Sequence, residues 1–388
     1  MALEEIRQFR VATRVHMGNG SSAGLLSAVQ ENGATRITVL TDPGVRATGM
    51  VDRLIQPLID AGITIDIDEN VKPNPRDTDC HLGVERAREH GSTLFVAIGG
   101  GSPIDQAKAI AALITNGGTA RDWELHRPFD VDPLPLIAIP TTAGTGSEVT
   151  TVSVITDTER MFKMTMGDPR MAPIVALIDP SLTVSVPKGT TAATGMDALT
   201  HAIEAYTCTL HNPVSDGLAI RAMRLIAQHV IPVVDDGSDL VAREGMMYAS
   251  TIAGMAFGNA DVASVHCISE AIGGLYDTPH GVANSVFLPW VFAFNKEADL
   301  SRHADVAECL GIERGNRPDS DVAAEGARKL EGMSERVGIP RFAELPGVDP
   351  ADFDKLAQAS ELNGSTPSNA RPITKADYLQ ILNDAYTG

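Results

Sequence analysis

Four residues in the second half of the chain have side chains that commonly ligate a transition metal. Asp197 and His201 are four positions apart in a stretch with helical periodicity, so both side chains project from one face of a helix. His266 belongs to a second predicted helix, and after a break of two glycines the chain returns to His280, at the expected start of a third helix. One carboxylate and three imidazoles suit Fe²⁺ or Zn²⁺ and leave a position for an exchangeable substrate. The spacing therefore predicts a metal centre.

The remaining histidines show no comparable arrangement. We expect them to be surface or structural residues: His16, His81, His90, His126, His211, His229 and His303.

Two glycine-rich turns compete as the binding site for a dinucleotide pyrophosphate. The first, at 18–23, fits a loose GxGxxA pattern and is followed by an acid, Asp42. The second, GGGSPID at 99–105, follows a buried-type strand and opens a helix. Its glycines let a phosphate approach the backbone, and the helix amino end supplies unpaired N–H groups and a positive dipole. This pattern favours the second turn.

A third loop, PTTAGTGSE at 140–148, also follows an apolar strand. Its hydroxyl groups and glycines could hydrogen-bond a nucleotide where the strand order of a sheet reverses. Asp42 comes at the end of an earlier strand, in position to accept a hydrogen bond from a ribose 2′-hydroxyl. Because a carboxylate there would repel a 2′-phosphate, the sequence predicts NAD rather than NADP.

The elements that must position these residues differ between the two halves of the chain. In the first half, short apolar β-branched runs at 36–41, 93–98 and 136–140 alternate with longer amphipathic stretches, which predicts a doubly wound parallel sheet over residues 1–185. Residues 186–388 show period-3.6 patterning and predict an all-helical domain. A two-domain chain is expected to bind its ligands in the cleft between the domains.

Composition limits the partners. The chain has 388 residues and a formal net charge of −19, so it should repel nucleic acid and anionic membrane surfaces. Its four cysteines lie far apart without a CxxC pair, which fits a reducing cytoplasm. The amino terminus has acids where a signal peptide needs bases, and no uninterrupted apolar run approaches the length of a membrane span. We expect a soluble cytoplasmic protein.

Four long motifs in this order resemble the iron-containing (group III) alcohol dehydrogenases over nearly the whole chain. They are GGGSPID at 99–105, IPTTAGTGSEV at 139–149, TGMDALTHAIEAY at 194–206 and PHGVAN at 279–284. The resemblance implies an amino-terminal NAD(P)-binding α/β domain and a carboxyl-terminal helical domain, with the pyrophosphate on the loop at 99–102 and a homodimer or larger assembly. It implies metal ligation by Asp197, His201, His266 and His280. The cofactor positions that it implies are Asp42, Asn74, Gly100, Gly101, Ser102, Asp105, Thr141, Thr142 and Lys163.

One stretch departs from the family pattern. The family usually has a second histidine four residues after its third metal ligand, and here DVASVHCISE at 261–270 has Glu270 in that place. Glu270 lies one helical turn after His266, on the same face. Three interpretations stay open: a carboxylate that relays the alcohol proton, an additional metal ligand, or a solvated side chain that reshapes the pocket. Thr151, Phe257 and Asn259 are further candidates for the pocket wall.

The implied reaction is reversible hydride transfer between a small alcohol and nicotinamide C4. A divalent ion would lower the pKa of the alcohol hydroxyl and, in the reverse direction, polarise the carbonyl. Two alternatives share the fold, a dehydroquinate-synthase-like lyase that uses NAD and a metal and a maleylacetate-reductase-like enzyme. The first would need a basic pocket for its phosphorylated substrate, and the second has different metal-ligand positions. A non-catalytic dinucleotide-binding protein is the remaining alternative.

Overall fold

A six-stranded parallel sheet occupies the first half of the chain, with the strand order β1-β8-β5-β4-β2-β3. The computed structural model describes residues 7–125 and 127–388, so the amino-terminal acids and His126 lie outside the described residues. Every residue of β4 and of β5 is buried, as expected where helices cover both faces of a parallel sheet. The sheet strands are β1 (Arg14–Met17), β2 (Arg36–Thr41), β3 (Thr64–Asp68), β4 (Leu94–Gly99), β5 (Leu136–Pro140) and β8 (Val175–Ile178).

Two apolar layers cover the two faces of this sheet. Alternate residues of β4 contribute to different layers: Val96 joins the layer with α1 and α3, and Phe95 joins the layer with α4 and α5. The helices of this half are α1 (Leu25–Glu31), α2 (Pro43–Ala47), α3 (Met50–Asp60), α4 (Asp77–His90) and α5 (Gly101–Asn116). The strand order reverses beside β4, which brings the carboxyl ends of β2 and β4 together at the edge where ligands bind in such sheets.

An antiparallel hairpin was not predicted from the sequence. Its strands, β6 (Val152–Asp157) and β7 (Phe162–Gly167), pair only with each other in regular register. The hairpin reaches the helical half of the molecule, since a Cβ on Gly274 would lie 2.8 Å from the Met161 carbonyl oxygen. It thereby carries Lys163 toward the helices.

In residues 186–388 all of the regular secondary structure is helical. The helices predicted from the period-3.6 patterning of residues 186–388 are present, and their apolar faces form one large core. The domain boundary predicted between residues 185 and 186 falls between β8 and α6, and it stays a prediction. The helices are α6 (Lys188–Thr207), α7 (Pro213–Asp235), α8 (Leu240–Phe257), α9 (Ser264–Tyr276), α10 (His280–Asn295), α11 (Leu300–Cys309), α12 (Asp319–Val337), α13 (Phe353–Glu361) and α14 (Lys375–Thr387).

One described helix, α7, is long and apolar enough to cross a membrane by length and composition alone. Its residues Ala222, Met223 and Ile226 are buried in the core of the helical half, where α7 packs on α6 and α8. Core helices of globular domains share these properties, so α7 is weak evidence for a membrane segment.

Candidate metal centre and cofactor cleft

Three helices bring four potential ligand atoms together. One side-chain atom each from Asp197, His201, His266 and His280 lies within 4.8 Å of the others, and we call these residues the Asp/His cluster. Asp197 and His201 lie on α6, His266 lies on α9, and His280 is the first residue of α10. The His280 side chain is 27% exposed and that of His266 only 4%. The cluster is therefore most accessible on the side of His280.

A glycine allows α10 to approach α6 closely enough to form the cluster. A Cβ on Gly281 would lie 2.5 Å from the Ala193 carbonyl oxygen and 3.3 Å from Asp197 Cβ. Only a residue without a side chain fits this contact. The close packing places His280 Nε2 3.8 Å from Asp197 Oδ1.

The environment of the cluster keeps two of its histidines neutral. Burial lowers the pKa of His201 to about 4. Burial and the nearby Lys163 ammonium hold the pKa of His280 well below its usual range. A neutral imidazole offers a lone pair, which a metal needs. Within the described part of the chain, His201 Nδ1 is buried without a hydrogen-bond partner, so the cluster contains a donor atom that a cation would satisfy.

Glu204, which the sequence reasoning did not single out, orients His266. Its Oε2 lies 2.5 Å from His266 Nδ1, and it also accepts hydrogen bonds from the backbone N–H groups of Ala263 (2.9 Å) and Val265 (2.7 Å). Burial lowers the pKa of His266, but the charge and hydrogen bond of Glu204 outweigh this effect and raise it. With Nδ1–H donated to Glu204, His266 Nε2 faces the cluster as a lone pair.

Ser269 orients His280 in a similar way. The Ser269 hydroxyl donates to the His280 carbonyl (3.2 Å), and its oxygen lies 3.1 Å from His280 Nδ1. Since a hydroxyl has one hydrogen, Nδ1–H of His280 is the donor in the second contact. His280 Nε2 is then also a lone pair directed at the cluster.

Replacing Glu204 with glutamine should weaken metal binding without removing any member of the Asp/His cluster. The glutamine amide retains one acceptor oxygen but has no charge. Its NH₂ group cannot accept the hydrogen bonds that the second carboxylate oxygen accepts. Losing such an outer partner typically costs about 10- to 100-fold in metal affinity. Competition between the protein and a chromophoric chelator for Zn²⁺ measures this change.

Glu148→Gln is the matched control for that experiment, because Glu148 is also a buried carboxylate and bonds Thr251 (2.7 Å) rather than a histidine. We expect its affinity for Zn²⁺ to stay at the wild-type value. Equal affinities in both variants and the wild type would show that Glu204 has only a packing role.

The loop after β4 is crowded by the loop after β5. A Cβ on Gly100 would lie 3.1 Å from Thr142 Oγ1, and one on Gly101 would lie 2.7 Å from Thr145 Cγ2. Gly100 is the N-cap of α5 and supplies no side-chain cap, and Ser102 follows in the first turn. Glycines here allow the two loops to pack closely, and the first N–H groups of α5, which have no side-chain cap, can bind an anion.

Asp42 lies beside this glycine loop. Its Oδ1 accepts a hydrogen bond from Val45 N (2.9 Å) as the N-cap of α2. A Cβ on Gly99 would lie 3.3 Å from Asp42 Oδ2, so the second oxygen faces the carboxyl end of β4. The carboxylate therefore both caps a helix and borders the predicted phosphate site.

Asn74 contacts the helical half of the molecule directly. Its Nδ2 donates to Asp277 Oδ1 (2.8 Å), and both residues have left-handed backbone conformations with φ of 54° and 55°. Asp277 follows α9 and precedes His280 by three residues. The predicted cofactor residue Asn74 is thus tied to the segment that carries one member of the Asp/His cluster.

Asp105 and Thr141 hold neighbouring loops together. Asp105 accepts from the Ser147 hydroxyl (2.5 Å) and from Val154 N (3.1 Å), and burial raises its pKa. Thr141 is buried, and its N–H donates to the Gly99 carbonyl (2.9 Å). Their contacts fix the loops after β4 and β5 relative to each other.

Lys108 supports the same region and was not predicted. It is completely buried, and its ammonium donates to Ser147 Oγ (3.0 Å), Thr150 Oγ1 (3.0 Å) and the Val152 carbonyl (2.8 Å). Burial lowers its pKa to about 8. Nothing in the local sequence distinguishes Lys108 from an ordinary helical lysine, because its loop partners lie about 40 residues away.

Lys163 and Glu270 are charged residues close enough to the Asp/His cluster to affect its electrostatics. Lys163 is buried against α9, where a Cβ on Gly273 would be 3.1 Å from its Nζ. Burial lowers the pKa of Lys163, and its field reaches Glu270, Asp197 and Asp105. Burial raises the pKa of Glu270, whose Oε2 accepts from Asn363 Nδ2 (2.6 Å). Glu270 is not a member of the group of converging ligand atoms.

Contacts in the structure define the positions of two candidate pocket-wall residues, Phe257 and Asn259. Phe257 stacks on His201 with 4.4 Å between ring centroids, and it forms an apolar side of the cluster. The Asn259 side chain instead accepts from the Arg10 backbone N–H, and the Asn259 carbonyl accepts from the Asn212 side-chain amide (2.8 Å), so Asn259 joins chain segments. The cluster contains none of the six other histidines that the structure describes.

A glycine loop at the carboxyl edge of a parallel sheet, together with a carboxylate and three imidazoles on the helical half, provides the parts that a nucleotide- and metal-dependent oxidoreductase requires. Two family profiles match almost the whole chain, one described as iron-containing alcohol dehydrogenase over residues 12–180 and one as the C-terminal part of the Fe-containing alcohol dehydrogenase family over residues 191–386. The chain belongs to the iron-containing alcohol dehydrogenase family. The predicted fold class and reaction class are confirmed.

Individual relatives align over nearly their full lengths. An NAD-dependent methanol dehydrogenase of Bacillus methanolicus is 39% identical, with 95% of this chain and 97% of the relative covered. A 1,3-propanediol dehydrogenase of Citrobacter freundii is 40% identical, with 91% and 92% covered. A crystal structure of a 1,3-propanediol oxidoreductase superposes with a TM-score of 0.95 at 37% identity, covering 98% of this chain and all of that chain.

Proposed function

We propose that this protein is an NAD-dependent dehydrogenase of small primary alcohols or diols that uses a divalent metal held by the Asp/His cluster. The observation that carries the proposal is the convergence of Asp197, His201, His266 and His280 within 4.8 Å. The donor set fits Fe²⁺, with Zn²⁺ as the second candidate. The methanol and propanediol specificities of the relatives support the substrate class.

The chemistry moves a hydride and a proton to different acceptors. The carbinol C–H bond breaks with its electron pair, which goes to nicotinamide C4, while the hydroxyl proton leaves to a base and the C=O bond forms. The metal, when bound, supplies positive charge that stabilises the developing alkoxide. The protein holds the pyrophosphate through the backbone amides at the start of α5 and orients the substrate between Phe257 and Glu270.

Local geometry allows an acidic protein to bind this anionic cofactor. The amino end of α5 presents N–H groups without a side-chain cap, and the buried Lys163 ammonium is close enough to interact with the charge of Asp105 on α5. These fixed donors act at short range, where the overall charge of −19 has little influence.

A panel of short alcohols and diols with NAD tests the function. We expect NADH to form with at least one of them, activity to disappear on chelation, and Fe²⁺ or Zn²⁺ to restore it. A dehydroquinate-synthase-like lyase would accumulate no NADH, because it returns the hydride to its substrate. Full activity in demonstrably metal-free protein would contradict the proposal.

Asp42→Asn tests the proposed preference for NAD over NADP. Asparagine is also a good N-cap, so α2 keeps its cap while the charge that opposes a 2′-phosphate disappears. We expect the ratio of kcat/KM with NAD to that with NADP to fall about tenfold or more, in line with the cost of like charges in contact. Steady-state rates with both cofactors give the ratio.

Asp52→Asn is the control for this change, because Asp52 is an exposed acid on the neighbouring helix α3, where it pairs with Arg46. Its cofactor ratio should match that of the wild type. If Asp42→Asn also leaves the ratio unchanged, then Asp42 is only a helix cap.

The homodimeric or larger assembly and the cytoplasmic location stay predictions. So do the cofactor contacts at Asp42, Asn74, Gly100, Gly101, Ser102, Asp105, Thr141, Thr142 and Lys163. Thr142 and Ser102 border the open amino end of α5, which supports their assignment.

A further inference from the structure

A fifth polar side chain reaches the Asp/His cluster. Asn284 lies one helical turn after His280 on α10, on the same face of the helix, and is completely buried. Its Nδ2 lies 2.7 Å from Asp197 Oδ1, 3.1 Å from His266 Nε2 and 3.1 Å from His280 Nε2. One amide therefore contacts three members of the cluster, which come from three different helices.

The direction of these hydrogen bonds follows from the neighbouring groups. His266 donates Nδ1–H to Glu204, and His280 donates Nδ1–H to Ser269, so both Nε2 atoms are acceptors. The Asp197 carboxylate is also an acceptor. The amide nitrogen of Asn284, with two hydrogens, is therefore the donor. An imidazole Nε2 has one lone pair and gives up its contact with the amide when it ligates a metal, so the bond to Asp197 is the one that persists with a metal bound.

The contact with Asp197 is the shortest of the three, and it is compatible with a cation held by the same carboxylate. A carboxylate oxygen has two lone pairs, so Oδ1 can accept the amide N–H with one of them and ligate with the other. Hydrogen bonds to ionised groups are stronger than those between neutral groups. This bond fixes the rotation of the carboxylate about its χ2 angle.

We infer that Asn284 is a positioning residue of the metal centre: its amide holds the Asp197 carboxylate in the orientation that binds a metal beside His266 and His280. The inference rests on the proposed metal-dependent function. The amide oxygen supports a role beyond packing, since Asn284 Oδ1 is buried with no hydrogen-bond partner among residues 7–125 and 127–388. Burying an amide oxygen without a hydrogen-bond partner costs free energy. An asparagine is therefore expected at this position only if its NH₂ group makes a contact that the protein needs.

Asn284→Leu and Asn284→Ala test the inference through metal affinity. Leucine has a similar size and cannot donate a hydrogen bond, and alanine introduces no clash if leucine does not fit. Competition with a chromophoric chelator gives the dissociation constants for Fe²⁺ and Zn²⁺, and thermal melting of the same samples verifies folding. We expect both variants to bind each metal about 10- to 100-fold more weakly, as when other partners of a ligand are lost.

Asn295→Ala separates positioning from general destabilisation. Asn295 is a buried asparagine on the same helix, and its amide bonds Asn369 (2.8 Å), away from the cluster. This variant should melt at a lower temperature but keep the wild-type metal affinity. Wild-type metal affinity in both Asn284 variants would overturn this inference but not the proposed function. An equal loss of metal affinity in Asn295→Ala would also overturn it, because the loss would then reflect general destabilisation. Wild-type protein that binds neither metal would overturn the proposed function and this inference with it.

Discussion

Replacing His201 with alanine is expected to lower kcat/KM for alcohol oxidation by about 1,000-fold or more, together with loss of bound metal. His201 is a buried donor of the Asp/His cluster and stacks on Phe257, and burial lowers its pKa to about 4, so its imidazole is neutral near pH 7. A metal contributes several kcal/mol of transition-state stabilisation, and each 1.36 kcal/mol is about a factor of ten in rate. Elemental analysis and NADH formation, measured on one sample, check both parts of the expectation.

Thr200→Ala is the matched control, because Thr200 is the adjacent residue on α6, is equally buried, and bonds only the Met196 carbonyl (3.0 Å). It should retain its metal and most of its activity. If His201→Ala lost its metal and still oxidised alcohols at the wild-type rate, metal-dependent catalysis by this protein would be wrong.

Local spacing was sufficient to predict the parts of the site that lie within one element. Asp197 and His201 are one turn apart on α6, and the glycines at 99–101 join β4 directly to α5. In both cases the secondary structure itself sets the relative positions of the groups. Helical and strand periodicity can be recognised in a single sequence. The Asp197–His201 pair, the glycine loop and the fold class could therefore be predicted from it.

Groups that depend on packing between distant segments could not be predicted in this way. Glu204 lies three residues after His201, where a carboxylate would ordinarily be a solvated helix residue. The amino end of α9 packs against Glu204 and places the Val265 N–H and His266 on its oxygens. The bond between Asn74 and Asp277 likewise joins residues 203 positions apart. The resemblance to a family named the cofactor positions and gave no account of these contacts.

Lys163 shows how a missed element changes the electrostatics of a site. The family resemblance marks this residue for the cofactor, but without the β6–β7 hairpin nothing in the sequence brings it to the cluster. Once the hairpin places Lys163 against α9, its charge lowers the pKa of His280 and opposes the rise in the pKa of Glu270. The three interpretations of Glu270 can then be weighed on geometry.

We propose that Glu270 accepts the alcohol proton, because it lies one helical turn after His266, is held by Asn363 and is not one of the converging ligand atoms. Glu270→Gln should then lower kcat for alcohol oxidation by about 100-fold, the lower end of the usual contribution of general acid–base catalysis, with metal content unchanged. Steady-state rates and elemental analysis measure the two quantities.

The pH profile distinguishes proton transfer from a change in pocket shape. Burial raises the pKa of Glu270 above its ordinary value of 4.5, with Lys163 and Asn363 opposing the rise. Oxidation needs the ionised carboxylate, so kcat should fall as the pH drops through this raised pKa, and Glu270→Gln should lack that acid limb. Glu244→Gln, which alters a carboxylate that bonds Tyr248 on α8, should keep both the limb and the rate. If Glu270→Gln retained wild-type kcat and the acid limb while its preference among alcohols changed, Glu270 would be a pocket-wall residue and the proton would leave by another route.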